Sequence, residues 1–257
     1  MNINSKTTNR EGDKTMNTNR QTVIKESKMK VTTSNLIRAA GLSAVVAGTI
    51  FAVIQPIHPP DVIESVNTHA FIIITSLKTV MSIFGLFGIV GIYARQVEKT
   101  GWLGLAGYLL VSLFYAVQLP FSFAEPFILP LLTTQAPKFV SGILGLASGA
   151  PSEVSLGALP AIYMSVAFFY IFGTLLFGIA TFRAGILSRW AAGLLAFAAV
   201  LVLAGAVIPH PLDRIMAVPM GLALIWLGYS LWSERREKVS EPLPGLVSPQ
   251  PVQTGAD

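Results

Sequence analysis

The chain has 257 residues, 53% of them hydrophobic and only 12% charged, with a mean hydropathy of +0.63; soluble domains carry about a quarter charged residues, so a soluble globular fold is excluded and a membrane protein is expected. The net charge of +5 does not point to a nucleic-acid partner, because 15 of the 18 Lys and Arg flank apolar runs and report orientation in a bilayer instead. The absence of cysteine excludes disulfides, thiolate metal sites and a cysteine nucleophile.

Residues 1–35 are polar, with few large apolar side chains, and are expected to form a disordered cytoplasmic tail. Met29 would also make a natural start, since "KVTTSNLIR" keeps Lys30 and Arg38 ahead of the first span. Six apolar runs follow, at about 36–57, 70–93, 101–124, 158–182, 190–208 and 215–232. Each can cross a hydrocarbon core as a helix, since about 20 residues at about 1.5 Å suffice. The expected fold is therefore all-α, a six-helix transmembrane bundle over 36–236, with 237–257 as a second, Pro-rich disordered tail. The first run ends in "QPIHPPD", which lacks a small-x-small cleavage pattern, so it is expected to stay as an anchor.

Orientation follows from the basic residues. The segment through Arg38 holds eight, "ARQVEKTG" two, "FRAGILSRW" two and "ERREK" three, against Lys138 and Arg214 in the alternate set of loops. Both termini are thus expected in the cytoplasm of a bacterial plasma membrane. The outer loop between the third and fourth runs, 125–157, is long and apolar; "APKFVSGILGLASGAPSE" reads as a short helix on the membrane surface, with a re-entrant segment as the alternative.

The outer side also collects polar groups. His58, Pro59, Asp61 and Ile63 match His210, Pro211, Asp213 and Ile215 at a shift of 152 residues, either as a parallel duplication or as two proline-terminated helices reaching a wet interface. His58, His69 and His210 with Asp61 and Asp213 supply the imidazole and carboxylate donors that zinc or copper(II) takes, although no HxxxH or HExxH spacing is present. Lys78 falls inside the second run, where an ammonium normally finds a partner or a cavity. Glu125 is the expected partner, and Gln118, Tyr115 and Gln55 are the further candidates for a ligand pocket formed by spans 1, 2, 3 and 5. No P-loop, dinucleotide fingerprint, serine elbow or paired catalytic carboxylates occur, so neither a catalytic residue nor a cofactor is expected. A non-enzymatic membrane protein with an outward polar pocket is the leading reading. A small-solute transporter or channel and a metal- or haem-binding membrane protein are the alternatives.

Two glycine series, Gly85, Gly88, Gly91 and Gly101, Gly104, Gly107, flank the cytoplasmic turn between the second and third runs. Small residues there let helices approach closely, within the bundle or in a homo-oligomer embedded in the lipid bilayer.

A first run ending in His58-Pro59, a second opening on His69-Ala70, the Gly-Leu-x-Gly-Ile-x-Gly-Ile-Tyr-Ala-Arg stretch from Gly85 to Arg95 and the "GILSRWAAGLL" entry to the fifth run together resemble a family of multi-pass inner-membrane proteins of soil bacteria without an assigned activity. The resemblance covers most of 36–236. It implies a multi-pass fold and an inner-membrane location, and no catalytic residue.

Overall fold

A computed structural model of the chain describes residues 32–205, 208 and 212–234. Among these residues every regular element is helical: α1 Thr33–Ile57, α2 His69–Phe127, α3 Leu129–Leu132, α4 Pro137–Gly145, α5 Leu159–Ala184, α6 Arg189–Gly205, a 3-10 turn at Leu212–Ala217, and α7 Val218–Ser233. Four stretches are long and apolar enough to cross a membrane, namely Thr33–Ile57, His69–Phe127, Leu159–Ala184 and Asp213–Ser233, while Arg189–Gly205 is apolar but shorter. The expected tails lie outside the described residues except at 32–35, where Thr32 caps α1 and residues 33–35 are already helical, so the first helix begins earlier than the tail boundary expected.

Local chemistry sets the element ends. Thr32 caps α1 by accepting from the Asn35 N–H at 3.2 Å, and α1 stops where Pro56, Pro59 and Pro60 remove successive backbone donors. Thr68 caps α2 in the same way, accepting from the Phe71 N–H at 3.3 Å. Gly185, with φ of 63°, closes α5 in the left-handed conformation that glycine adopts without penalty.

The 59 residues of α2 are not one rod. At Gly101 the backbone takes φ 57° and ψ −157°, and the chain doubles back on itself there. The Thr79 hydroxyl donates to the Ser122 carbonyl at 2.8 Å, and Tyr93 stacks on Tyr108 with ring centroids 4.4 Å apart. In a straight helix Thr79 and Ser122 would be roughly 65 Å apart. Residues 69–100 and 102–127 are therefore two antiparallel arms joined by a single left-handed glycine. The loop expected at 94–100 is helical instead.

The arms of α2 pack on α1 and α5, α1 on α7, α7 on α6 and α6 on α5, so the long helices close into a ring. Inside it lies a core that includes Phe51, Met81, Ile89, Phe114, Tyr115, Tyr170, Phe177, Leu195, Met220 and Leu224. The outer surface of the ring is also apolar: Phe87, Phe168, Phe172, Leu203 and Leu222 are each about half exposed. Exposed apolar area on that scale marks contact with something other than water, and the bundle is compatible with a membrane protein.

The backbones of α1 and α7 approach each other closely. A Cβ on Gly48 would sit 2.5 Å from the Gly221 carbonyl oxygen, and one on Gly41 would sit 2.8 Å from the Gly228 oxygen. Both pairs recur at seven residues, so one face of each helix is bare backbone at each contact. Of the glycines singled out in the sequence, Gly85 meets Tyr115, Gly88 meets Ala44, Gly91 meets Ala40 and Gly107 meets Phe177. These faces pack inside this chain.

The 125–157 segment holds the short helix expected in it, as α4. Its α3 and α4 fold onto the loop after α1 and the start of α2, where Val66, Phe71, Leu129, Val140 and Leu144 form a second small core. The segment is a cap over one end of the bundle.

Candidate functional site

Under that cap the ring encloses a cavity of about 290 Å³, at the low end of the size of small-ligand sites. Its lower walls are apolar, with Phe51 and Ile54 from α1, Met81 and Phe114 from the two arms of α2, and Val166 and Tyr170 from α5. Its upper walls carry Gln55, His58, Asp61, Lys78, Gln118, Glu125, Asp213 and Arg214. The pocket is thus polar at one end and apolar at the other.

Two ion pairs organise the polar end. Lys78 Nζ contacts a Glu125 carboxylate oxygen across the two arms of α2, the partnership that the isolated lysine called for. Arg214, on the 3-10 turn, meets Asp61, from the loop after α1. All four side chains are largely withdrawn from solvent, the most open being Glu125 at 17% exposure. The Gln118 amide donates to Ser122 Oγ at 3.1 Å, which holds its side chain along the second arm.

His58 is the most enclosed of the set, with its side chain 1% exposed. Its Nδ1 lies 2.7 Å from the Pro59 carbonyl oxygen and 3.8 Å from Asp61 Oδ1. A carbonyl only accepts, so Nδ1 carries the proton and Nε2 presents a lone pair. That Nε2 is buried without a partner, and so is the hydroxyl of Tyr170, which stacks on Phe51 at 6.3 Å. Buried polar atoms without partners are costly and uncommon, and here two of them belong to residues lining one cavity.

Burial is the first cause that lowers the His58 pKa, to about 4, with the charges of Lys78 and Arg214 adding to it and Asp61 and the Pro59 carbonyl opposing. The unfolded histidine titrates near 6.5, so between these values the unfolded chain binds a proton that the folded chain refuses. Stability should therefore be full above about pH 6.5 and fall as the pH drops towards about 4. His58→Gln should flatten that slope in thermal melts at pH 7, 6, 5 and 4.5; an unchanged slope would assign it to other groups.

Of the residues expected at a ligand pocket, Lys78, Glu125, Gln118 and Gln55 line the cavity, as do His58, Asp61 and Asp213 from the expected metal set. Tyr115 is buried beside Gly85 and Phe114, outside the lining. His69 is exposed at the first turn of α2 and is not part of the cavity lining, and His210 lies outside the described residues. Among the described residues no three His, Asp or Glu are grouped to hold a metal ion. The walls also differ from those expected: α5, the fourth run, contributes Tyr163, Val166, Ala167 and Tyr170, whereas among the described residues the fifth contributes Val202. Arg214 and Tyr170 were missed in the sequence. The signal for Arg214 was its place as a cation in a short outer loop, against the general charge asymmetry; Tyr170 has no such marker among neighbouring aromatics.

The aspartates of the two matched His-Pro-x-Asp segments lie at one site. Asp61 of the first pairs with Arg214, the residue after Asp213 of the second, and both aspartates line the cavity. Compared with protein-family models, curated proteins and solved structures, the chain matches none, so the chemistry of the cavity is what bears on its role.

Proposed function

We propose that the chain is a six-span protein of the bacterial plasma membrane, with both termini in the cytoplasm, that binds a small solute in its outward cavity without converting it chemically. The two arms of α2 count as two spans, and α1, α5, α6 and the helix ending at Ser233 supply the other four. Charge supports the orientation. Arg38 lies over the Trp232 ring at 5.7 Å, and Arg95 Nε donates to Glu234 Oε2 at 2.7 Å, so the start of α1, the α2 reversal and the end of α7 share one basic end. Trp102 and Trp190, 86% and 79% exposed, belong to the same end, as an interfacial belt would. The observation that carries the binding role is the cavity at the opposite end, where partnerless His58 Nε2 lies beside paired charges and the partnerless Tyr170 hydroxyl belongs to the apolar wall.

The natural absence of cysteine makes the test direct. Cysteines at Glu153 and Gln118 should react with a small impermeant thiol reagent on intact cells, the one at Gln118 more slowly, while one at Lys99 should react only after lysis. Labelling of Lys99→Cys from outside would overturn the topology, and labelling of Gln118→Cys only after lysis would overturn the outward cavity. Transport is the second reading, favoured by the Lys78–Glu125 pair between the arms. It adds one expectation, that Gln118→Cys also reacts in inside-out vesicles.

A further inference from the structure

We propose that the cavity takes a neutral, hydroxyl-bearing amphiphile, an alcohol or phenol whose O–H donates to His58 Nε2 while its apolar body lies against Phe51, Met81, Phe114 and Tyr170. This rests on the solute-binding reading above and names the ligand class.

The class follows from what the cavity leaves unsatisfied. An anion is disfavoured because both described cations in the wall, Lys78 and Arg214, already contact carboxylates; an anion would have to break a buried pair, leaving an uncompensated charge. An organic cation meets the same obstacle from the other side, since Glu125 and Asp61 are engaged by those cations. What is left without a partner is a neutral acceptor, His58 Nε2, and a neutral hydroxyl, that of Tyr170. The low pKa of His58 keeps this nitrogen unprotonated at neutral pH, so it needs a donor and offers none.

Position argues for an amphiphile. His58 caps the end of α1, and Phe51, which stacks on Tyr170, is two helical turns below it, roughly 10 Å along the axis. Between them the lining is mostly apolar, from Ile54, Met81, Phe114 and Val166, with the Gln55 amide as the polar side chain of α1 on that stretch. A ligand with a hydroxyl at one end, an apolar middle and an oxygen that can accept from Tyr170 satisfies both orphaned groups. A polyol or an ion would leave the apolar walls wet, and a hydrocarbon would leave the two polar atoms unpaired.

The test uses the full chain in phosphatidylcholine nanodiscs, photolabelled with a diazirine-bearing benzyl alcohol and mapped by mass spectrometry. The competitors are 4-propoxybenzyl alcohol, its methyl ether, 4-propoxybenzylamine and 4-propoxybenzoate. Label should fall within residues 51–58, 78–81, 114–125 and 163–170. The alcohol should compete about tenfold better than the methyl ether, which has lost only the donor, as expected for one hydrogen bond to a buried partner. It should also compete better than the amine and the carboxylate. His58→Phe should erase the preference for alcohol over ether, and Tyr170→Phe should weaken both about equally. If His58→Phe does not fold, the alcohol-to-ether ratio in the natural chain decides alone. Equal competition by alcohol and ether, or stronger competition by the amine or the carboxylate, overturns the hydroxyl assignment while leaving a solute cavity in place. Label outside the cavity, or none, overturns both, and the orphaned groups are then hydrated.

Discussion

Lys78→Met is expected to destabilise the bundle by about 3 to 5 kcal/mol, the cost of leaving one partner of a buried ion pair alone. Methionine matches the lysine stem in length, so packing along the first arm of α2 survives and the loss comes from the stranded Glu125. Glu125→Gln removes the complementary charge and strands the ammonium, with a cost of similar size. The double variant loses the pair but leaves no isolated charge, and it should be more stable than the sum of the single losses by about 1.5 kcal/mol or more. The measurement is a double-mutant cycle on unfolding in mixed micelles. Losses that add to within about 0.5 kcal/mol would mean that the two groups are solvated separately and that no pair bridges the arms.

Gly48→Ala should cost about 1 to 3 kcal/mol by overpacking, although alanine in a helix interior is intrinsically better than glycine by about 1 kcal/mol. The sign is decided by what the new methyl would meet. At Gly48 it lies 2.5 Å from the Gly221 carbonyl oxygen and 2.8 Å from the Ile225 amide nitrogen, and backbone cannot swing aside as a flexible side chain can. Gly221→Ala should behave alike, since its methyl would lie 2.6 Å from the Gly48 oxygen. Gly193→Ala is the control: its nearest neighbour is a Phe182 ring carbon at 3.6 Å, so it should be neutral or slightly stabilising. Equal effects of the three changes on the melting temperature would show that α1 and α7 are free to separate and that their tight contact is not needed for folding.

The elements were legible because hydrophobic length and proline placement act locally. The first run ends with the prolines around His58, and α1 stops at Ile57; the fourth run, read as 158–182, is Leu159–Ala184. The reading failed at 94–100, where Arg95, Glu98 and Lys99 were taken for a loop. Leaving the hydrocarbon does not end a helix, and with neither proline nor glycine between Gly91 and Gly101 nothing stops this one earlier. Lys78 and Glu125 could be matched because a lone charge in an apolar run has few possible partners. Which helices are neighbours could not be read in the same way. Gly41, Gly48, Gly221 and Gly228 are ordinary glycines until α1 and α7 meet, and the replacement of the fifth run by α5 as the main cavity wall depends on the order of helices around the ring. The cap over the cavity was hidden for a related reason: Val140 and Leu144 are as apolar as residues facing lipid, and only their contact with Val66 and Phe71 distinguishes them.

The pairing of α1 with α7 also has a consequence for biosynthesis. Gly48 and Gly221 are separated by 173 residues, which a ribosome working at about 5 to 20 residues per second takes roughly 9 to 35 s to traverse. For that interval the first helix would have its bare glycine face uncovered, and Asp61 would lack Arg214. The ring can close only after the final helix has been made, so maturation of this protein is largely post-translational. A nascent chain arrested before residue 214 would hold every other helix and still lack the clasp that completes the cavity.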